Sequence, residues 1–334
     1  MPEKFWKSSI KKNRMISEIS VSVIIPTYNR KKLLSQTLTS ILACRENDLE
    51  ILVVDDGSTD GTDELMNNEF PGVKYFKQNN QGAPTARNLG LKNASGSYVI
   101  FIDSDDLVEI NFFKSKLKFL QQNEELDAVY GPWDFFEGDE DFEEKLIIPR
   151  HSVYPMYEMN KESEILKNLL AGWFVHPGTI LWKKSSLKKI EGFREELIIN
   201  QDVDLLFRAI HKGLKISGNS GARALIREHQ SDRVGIVKGN PEKIIQILNL
   251  RKFFKKELES SANWNQEYAS AMASYTFELW TLYRKSLPLE SKKLLQFSKS
   301  LDPNLQIEGG LLLRVLGKIF GSHRAVIIKQ AIKI

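Results

Sequence analysis

The feature that most limits the fold is an alternation over residues 21–102 between short apolar runs and longer segments of helical spacing. Val21–Ile25 is the first run, and Lys31–Ala43 follows it with helical periodicity. Ile51–Val54 comes next, then a short helical stretch at Thr62–Asn68 and a third run at Val73–Phe76. Ala83–Lys92 is again helical, and Tyr98–Ile102 is a fourth run. Four or five apolar residues bounded by polar turns suit a strand buried on both faces, and a helix between two such strands lets them lie parallel. The expected fold class is α/β, with a mostly parallel central sheet and flanking helices. In such a sheet the loops beyond the carboxyl ends of the strands converge on one crevice.

The polar clusters fall at those ends. The first run leads into Pro26-Thr27-Tyr28-Asn29-Arg30, the second into Asp55-Asp56-Gly57-Ser58, and the fourth into Asp103-Ser104-Asp105-Asp106. Aspartates crowded in this way repel one another unless a cation or hydrogen-bond donors compensate. A divalent ion held by one or two carboxylates and by substrate phosphates suits Mg2+ or Mn2+, and would neutralise a departing diphosphate. The alternative is that Asp105 or Asp106 caps a helix beginning near Val108. Asp55, Asp56, Gly57 and Ser58 offer carboxylates, a turn that permits close backbone approach, and a hydroxyl. Such a loop suits a base or ribose, or else a tight turn with a helix cap. Tyr28 can stack on a base or pack internally. Arg87, within Gln81–Asn88, can reach a base or pyrophosphate, or serve as a surface ion-pair partner.

Several classes are disfavoured. No glycine-rich dinucleotide fingerprint follows the first run, no phosphate loop ends in Gly-Lys-Ser/Thr, and no His-Glu-x-x-His occurs. The single cysteine, Cys44, rules out an intrachain disulfide framework and a cysteine-built zinc site. A formal charge of +4, from 47 basic and 43 acidic residues, lacks the concentrated basic face that nucleic acid requires. No apolar run reaches the roughly 18–20 residues that cross a bilayer. The basic N-terminal segment lacks the apolar core of a secretion signal, so a cytoplasmic protein is expected, soluble or peripheral on the membrane face.

Taken in order, Val23–Arg30, Val53–Thr62, Gly82–Gly90 and Phe101–Asp106 resemble the family-2 glycosyltransferases, inverting enzymes with the Rossmann-like GT-A fold. The resemblance covers roughly residues 20–235. It implies that Thr27, Tyr28 and Asp56 hold base and ribose, that Arg87 helps bind the nucleotide, and that Asp103 contacts the ribose. Pro26, Asn29, Arg30, Asp55, Gly57, Ser58 and Ser104 complete the implied nucleotide site, and Asp105 would bind the metal. His229, after the run Ala224–Arg227, is similar to a family histidine that completes the metal or pyrophosphate site.

Asn200–Arg208 aligns with the family's Glu-Asp segment, whose aspartate is the general base. Asp202 takes that place, with Gln201 where the family has glutamate. Asp202 and Asp204 also open an amphipathic helix, where acidic residues are favourable for electrostatic reasons alone, and Asp204 is the internal rival. Trp173 and His176, before the run Thr179–Trp182, read as acceptor-side or structural residues.

The implied organisation is a basic segment at 1–18, a GT-A domain at 19–240 and a helical C-terminal extension at 241–334. The domain divides into a nucleotide-binding half (19–106) and an acceptor-side half (107–240). The extension's clearest helices are Ile244–Leu258 and Tyr268–Lys285, with breaks at Pro288 and Pro303. Its end, 309–334, is basic and amphipathic without an acidic residue. That pattern suits contact with an anionic membrane surface, or packing on the catalytic domain or on a second copy in a homo-oligomer.

The implied reaction is transfer of a sugar from a nucleotide-diphosphate donor, a UDP-sugar by resemblance, to a hydroxyl of a saccharide or lipid-linked acceptor. Surface polysaccharide or glycoconjugate synthesis would be the setting. The rivals are a sugar nucleotidyltransferase and a non-catalytic GT-A-like binding protein. Pro26–Arg30 is not the glycine-rich basic loop of the first, and the intact Asp103, Asp105 and Asp202 set argues against the second.

Overall fold

A computed structural model describes residues 20–46, 48–137, 162–228 and 240–303. The first part runs β1 (Val21–Thr27), α1 (Lys31–Ala43), β2 (Leu49–Asp55), α2 (Thr62–Glu69), β3 (Lys74–Lys77), α3 (Ala83–Asn93) and β4 (Tyr98–Phe101). The elements follow the sequence pattern because the apolar runs are buried on both faces: Val23, Ile24, Ile25, Leu52, Val53 and Ile100 have no exposed surface. β1 lies parallel to both β2 and β4, with Ile24 opposite Leu52 on one side and Phe101 on the other.

The next part holds β5 (Leu107–Val108), α4 (Phe112–Gln122), β6 (Ala128–Tyr130), β7 (Trp133–Glu137), α5 (Glu162–Leu170) and β8 (Ile180–Lys183). It continues through α6 (Lys184–Lys189), α7 (Gln201–His211), β9 (Ile216–Gly218) and β10 (Ala224–Glu228). Two sheets result. The large one has the order β3-β2-β1-β4-β8-β6-β9, and the small one β5-β10-β7. β8 is antiparallel to both β4 and β6, so the sheet is mixed rather than wholly parallel.

Residues near Val108 do not begin a helix. Leu107 and Val108 pair antiparallel with β10, and Leu107 packs with Phe136 and Leu225, so local chain direction is set by the small sheet. The helix starts four residues after Val108, at Phe112, behind Asn111 in the left-handed region (φ 68°). Asp105 and Asp106 therefore cap no helix.

From Pro241 the described residues are helical: α8 (Pro241–Ser260), α9 (Gln266–Tyr283) and α10 (Pro288–Leu301). Pro288 opens α10 instead of interrupting one, where its missing N–H leaves no bond unmade. The extension joins the preceding α/β part through Phe254, stacked on Phe207 of α7 with ring centroids 3.8 Å apart. It also has a core of its own, formed by Ile244, Ile247, Leu248, Leu279 and Leu294, to which the preceding part contributes Ile199. Residues 1–18, Gly138–Glu144, His229 and 309–334 lie outside the described residues.

Candidate active site

The topology explains which groups meet. β1, β2 and β4 are parallel, so Thr27, Asp55 and the chain after Phe101 emerge at the same edge. β8 runs the other way, pairing Val99 with Trp182, and its beginning therefore lies beside the end of β4. That beginning is a short turn, Pro177–Thr179, preceded by His176. The reversal delivers an imidazole to a carboxylate cluster 70 residues earlier in the chain.

The loops after β1 and β2 are tied together. Asp55, wholly buried, accepts hydrogen bonds from Ser58 N (2.7 Å) and the Tyr75 hydroxyl (2.5 Å). Asp56 accepts from Gln78 Nε2, Gln81 N and Gly82 N, each at 2.8 Å. Asn29 N donates to Ser58 Oγ, and Thr59 N donates to Asn29 Oδ1, both at 2.8 Å. Gly57 has φ 89°, and a Cβ there would come within 3.2 Å of Asn80 N. Pro26 is paired with Val54 inside the sheet. Thr27 is buried, with its hydroxyl unpartnered among the described residues, while Tyr28 is 47% exposed at the rim.

The cluster after β4 differs. Asp103 Oδ1 accepts from Arg87 Nη2 at 2.7 Å, and Arg87 Nη1 donates to Gln201 Oε1 at 2.8 Å. Desolvation opposes ionisation of Asp103, but Arg87, His176 and Arg30 outweigh it and hold the carboxyl below its ordinary range. Asp105 is ion-paired with Arg30. Ser104 is buried. Asp106, 2% exposed, accepts from Arg227 N at 3.1 Å through Oδ1, while its Oδ2 has no hydrogen-bond partner among the described residues. Burial first, then Asp105 and Asp103, push the Asp106 carboxyl well above its usual range.

His176 faces this cluster, with Nε2 3.7 Å from Asp106 Oδ2 and 3.9 Å from Asp103 Oδ2. Its Nδ1 accepts from Gly178 N at 3.3 Å. That contact favours a proton on Nε2, the nitrogen that faces the two carboxylates. Burial lowers the imidazole's affinity for a second proton, against the opposing pull of Asp103, Asp202 and Asp105. Asp202 thus lies within electrostatic reach of the same imidazole. Burial raises its carboxyl above the ordinary range, and His176 and Arg87 draw it part of the way back.

Asp204 is disposed differently. It is fully buried, accepts from Arg208 Nε at 2.7 Å, and lies 3.4 Å from Arg194 Nη1. Held by two guanidinium groups beneath the helix, it is not placed to receive a substrate proton. Trp173 packs edge-on against Tyr130, at 6.2 Å between centroids.

The family model described as glycosyl transferase family 2 matches residues 22–191, just over half of the 334-residue chain. The chain belongs to that family. As a family-2 glycosyltransferase it is 41% identical over 112 residues to an uncharacterized glycosyltransferase of Rickettsia conorii, covering 33% of this chain and 18% of the relative. It is 36% identical over 129 residues to glycosyltransferase GlyA of Streptococcus pneumoniae, covering 37% and 18%. The chain spans less than two thirds of the length of these relatives. Residues 1–349 of S. aureus TarS, in complex with UDP-GlcNAc, superpose with a TM-score of 0.58 at 19% identity, over 92% of this chain and 83% of that one. Mannosyltransferase PcManGT from Pyrobaculum calidifontis, in complex with GDP-Man and Mn2+, gives 0.52 at 17% identity, over 92% and 81%. Likeness at these identities establishes the GT-A fold.

Within this glycosyltransferase, Asp103, Asp106 and His176 each present one atom within 4.8 Å of the others, a spacing that suits a cation. The unpartnered buried Oδ2 of Asp106 is the atom that a cation would satisfy. Sequence reasoning read His176 as acceptor-side or structural, and Asp106 as part of the cation-compensated carboxylate cluster or as a helix cap, with the choice open for each. The signal for both is long-range: the antiparallel return of β8, and the backbone N–H of Arg227 on β10.

Proposed function

We propose that the chain catalyses inverting transfer of a sugar from a nucleotide diphosphate, a UDP-sugar first among candidates, to an acceptor hydroxyl. The observation that carries this reading is the shared field of Asp103, Arg87, His176 and Asp202, residues from four separate elements at one sheet edge. Asp202 takes the proton of the acceptor hydroxyl while that oxygen bonds to the anomeric carbon. The bond from that carbon to the diphosphate oxygen breaks, and its electron pair leaves with the diphosphate. Burial suits Asp202 to this task, because a carboxylate with raised proton affinity is a better base.

Arg87 orients the donor side, its charge shared between Asp103 and the neutral Gln201 rather than between two carboxylates. Thr27, Tyr28 and Asp56 line the base and ribose end. Asp103, Asp105 and Asp106 would hold Mg2+ or Mn2+, which supplies charge neutralisation on the leaving diphosphate. The neighbours support a nucleotide-sugar donor: TarS was solved with UDP-GlcNAc and with UDP, and PcManGT with GDP-Man and Mn2+. The acceptor we propose is a saccharide or a lipid-linked saccharide. No helix of the described residues is long and apolar enough to cross a membrane. Peripheral attachment through 309–334 is part of the same proposal. Liposome flotation of the full chain and of a chain ending at 308 tests it, and equal recovery in the soluble fraction rejects it.

Calorimetric titration with UDP, GDP and dTDP, with and without Mn2+, tests the donor reading. Mn2+-dependent binding of one nucleotide is the expected result. Absence of binding by all three rejects the reading.

A further inference from the structure

The helix that carries Asp202 is not capped by the residue that precedes it. Asn200, in the left-handed region at φ 58°, makes no capping bond to the first turn of α7, and its side-chain nitrogen is buried without a partner among the described residues. Within the first turn the Asp202 carboxylate itself accepts from the Asp202 and Val203 amides, so the turn is held internally but is not tied to the preceding loop by Asn200. Its position is set from outside, by the C-terminal extension.

Two independent contacts do this. Gln246 of α8 faces the backbone of the preceding loop: its Oε1 accepts from Ile198 N at 2.8 Å and from Ile199 N at 3.0 Å, and its Nε2 donates to Glu196 O at 2.9 Å. One side chain thereby satisfies three consecutive-loop backbone groups. The side chain of Ile199 meanwhile enters the extension's own core, among Ile244, Ile247 and Leu248 of α8, Leu279 of α9 and Leu294 of α10. The same loop is joined to the donor side. Gln201 Nε2 donates to Leu197 O at 2.9 Å while its Oε1 accepts from Arg87, which in turn holds Asp103. A continuous polar path therefore runs from α8 through residues 196–201 to the cluster after β4.

We infer that the helical extension positions the catalytic turn, with Gln246 as a positioning residue for Asp202 and Gln201. The family match ends at residue 191, so Gln246 and the loop it holds both lie beyond it. The kinetic part of this inference rests on the transferase reading above; the mechanical part does not. Gln246 touches no reacting atom. It acts through the loop, where displacement of a base by about 1 Å is enough to cost on the order of 100-fold in rate.

The test uses the full chain as wild type, Gln246→Ala and Gln246→Glu. The glutamate keeps an acceptor for Ile198 N and Ile199 N and loses only the donor to Glu196 O. Three quantities are read: amide hydrogen exchange of residues 195–204, the dissociation constant for UDP with Mn2+, and turnover of UDP-GlcNAc with a saccharide or lipid-linked acceptor. In Q246A we expect faster exchange confined to 195–204, UDP affinity within about twofold of wild type, and turnover lower by about 10- to 100-fold. Q246E should fall between the two. Unchanged exchange and turnover in Q246A would overturn the inference. So would turnover that falls only in proportion to UDP affinity, since that places the defect at the donor. If the wild type turns over no nucleotide sugar, the transferase reading fails separately. The exchange result then decides the positioning claim alone: local deprotection upholds it and unchanged protection rejects it.

Discussion

Two pairs of aspartates leave neighbouring strands of the same sheet and meet opposite fates. Asp55 and Asp56, after β2, receive five hydrogen bonds from Ser58, Tyr75, Gln78, Gln81 and Gly82. Asp103 and Asp106, after β4, share fewer donors, and one oxygen of Asp106 has none among the described residues. The first pair organises two loops, and its oxygens are taken up by three backbone N–H groups, the Tyr75 hydroxyl and the Gln78 amide. In the second, Asp103 is paired with Arg87, while burial and the neighbouring carboxylates push Asp106 toward its neutral form with one oxygen left without a hydrogen bond among the described residues. Similar letters in the sequence thus divide into scaffold and reagent according to how many donors the fold brings to them.

The most severe test of that division lies across from the second pair. Asp202→Asn should lower transfer by about 10²- to 10⁴-fold, the range for loss of a general base, while leaving the dissociation constant for nucleotide within about twofold. Equal loss of nucleotide affinity would move Asp202 to the donor side and break the contrast between the two roles.

A satisfied carboxylate elsewhere gives the scaffold its scale. Glu50 of β2 is bonded by Lys74, Ser22 and the Ser95 and Gly96 amides. Burial opposes ionisation there, but these donors outweigh it and bring its pKa down from 4.5 to about 2. Glu50→Gln should cost about 3 kcal/mol of unfolding free energy near neutral pH, by linkage of the shift to stability. The sign is fixed: a depressed carboxyl stabilises fully above pH 4.5, and its contribution fades as the pH falls toward 2. Denaturant titration of both proteins across that window checks it.

The direct comparison is Asp55→Asn against Asp106→Asn. The first should destabilise the fold by about 1–3 kcal/mol with or without Mn2+, because Asn keeps one acceptor oxygen and turns its NH2 toward the other donor, Ser58 N or the Tyr75 hydroxyl. The second replaces a carboxyl that burial and its acidic neighbours already push toward the neutral form, and should leave the metal-free melting temperature unchanged or higher, while abolishing the rise that Mn2+ produces. A melting curve of D106N that still responds to Mn2+ would place the cation elsewhere. Smallest of all is an effect of pH on the wild type. Because burial raises the Asp202 carboxyl, transfer should be lost on acidification above the pH near 4 at which a free aspartate titrates, as the rising proton occupancy removes the base. A pH–rate profile with no such acid limb would sever the link between burial and activity.

Much of this was legible before any coordinates. The boundaries of α1 follow from the periodicity alone, and the four runs, three buried and one at the sheet edge, appear as strands within a residue or two. The loops that carry Asp56 and Asp103, each adjoining such a run, and the helix that carries Arg87 were equally plain. What stayed hidden depends on partners distant in the chain. β5 is two residues long and exists only because β10 pairs with it. The roles of Asp106 and His176 depend on Arg227 N and on the reversed course of β8. Asp204 and Asp202 are two residues apart on one helix, and only Arg194 and Arg208 tell them apart.

The reversed strand has one more consequence. The distance from His176 to the carboxylates is indexed by the pairing of Val99 with Trp182, and one residue of sheet spans about 3.3 Å. Insertion or deletion of a single residue between 177 and 183 would therefore carry the ring out of reach while the sheet could still close. Natural length variation in this enzyme should be absent from that stretch, and alanine scanning there should be tolerated better than any change in residue count.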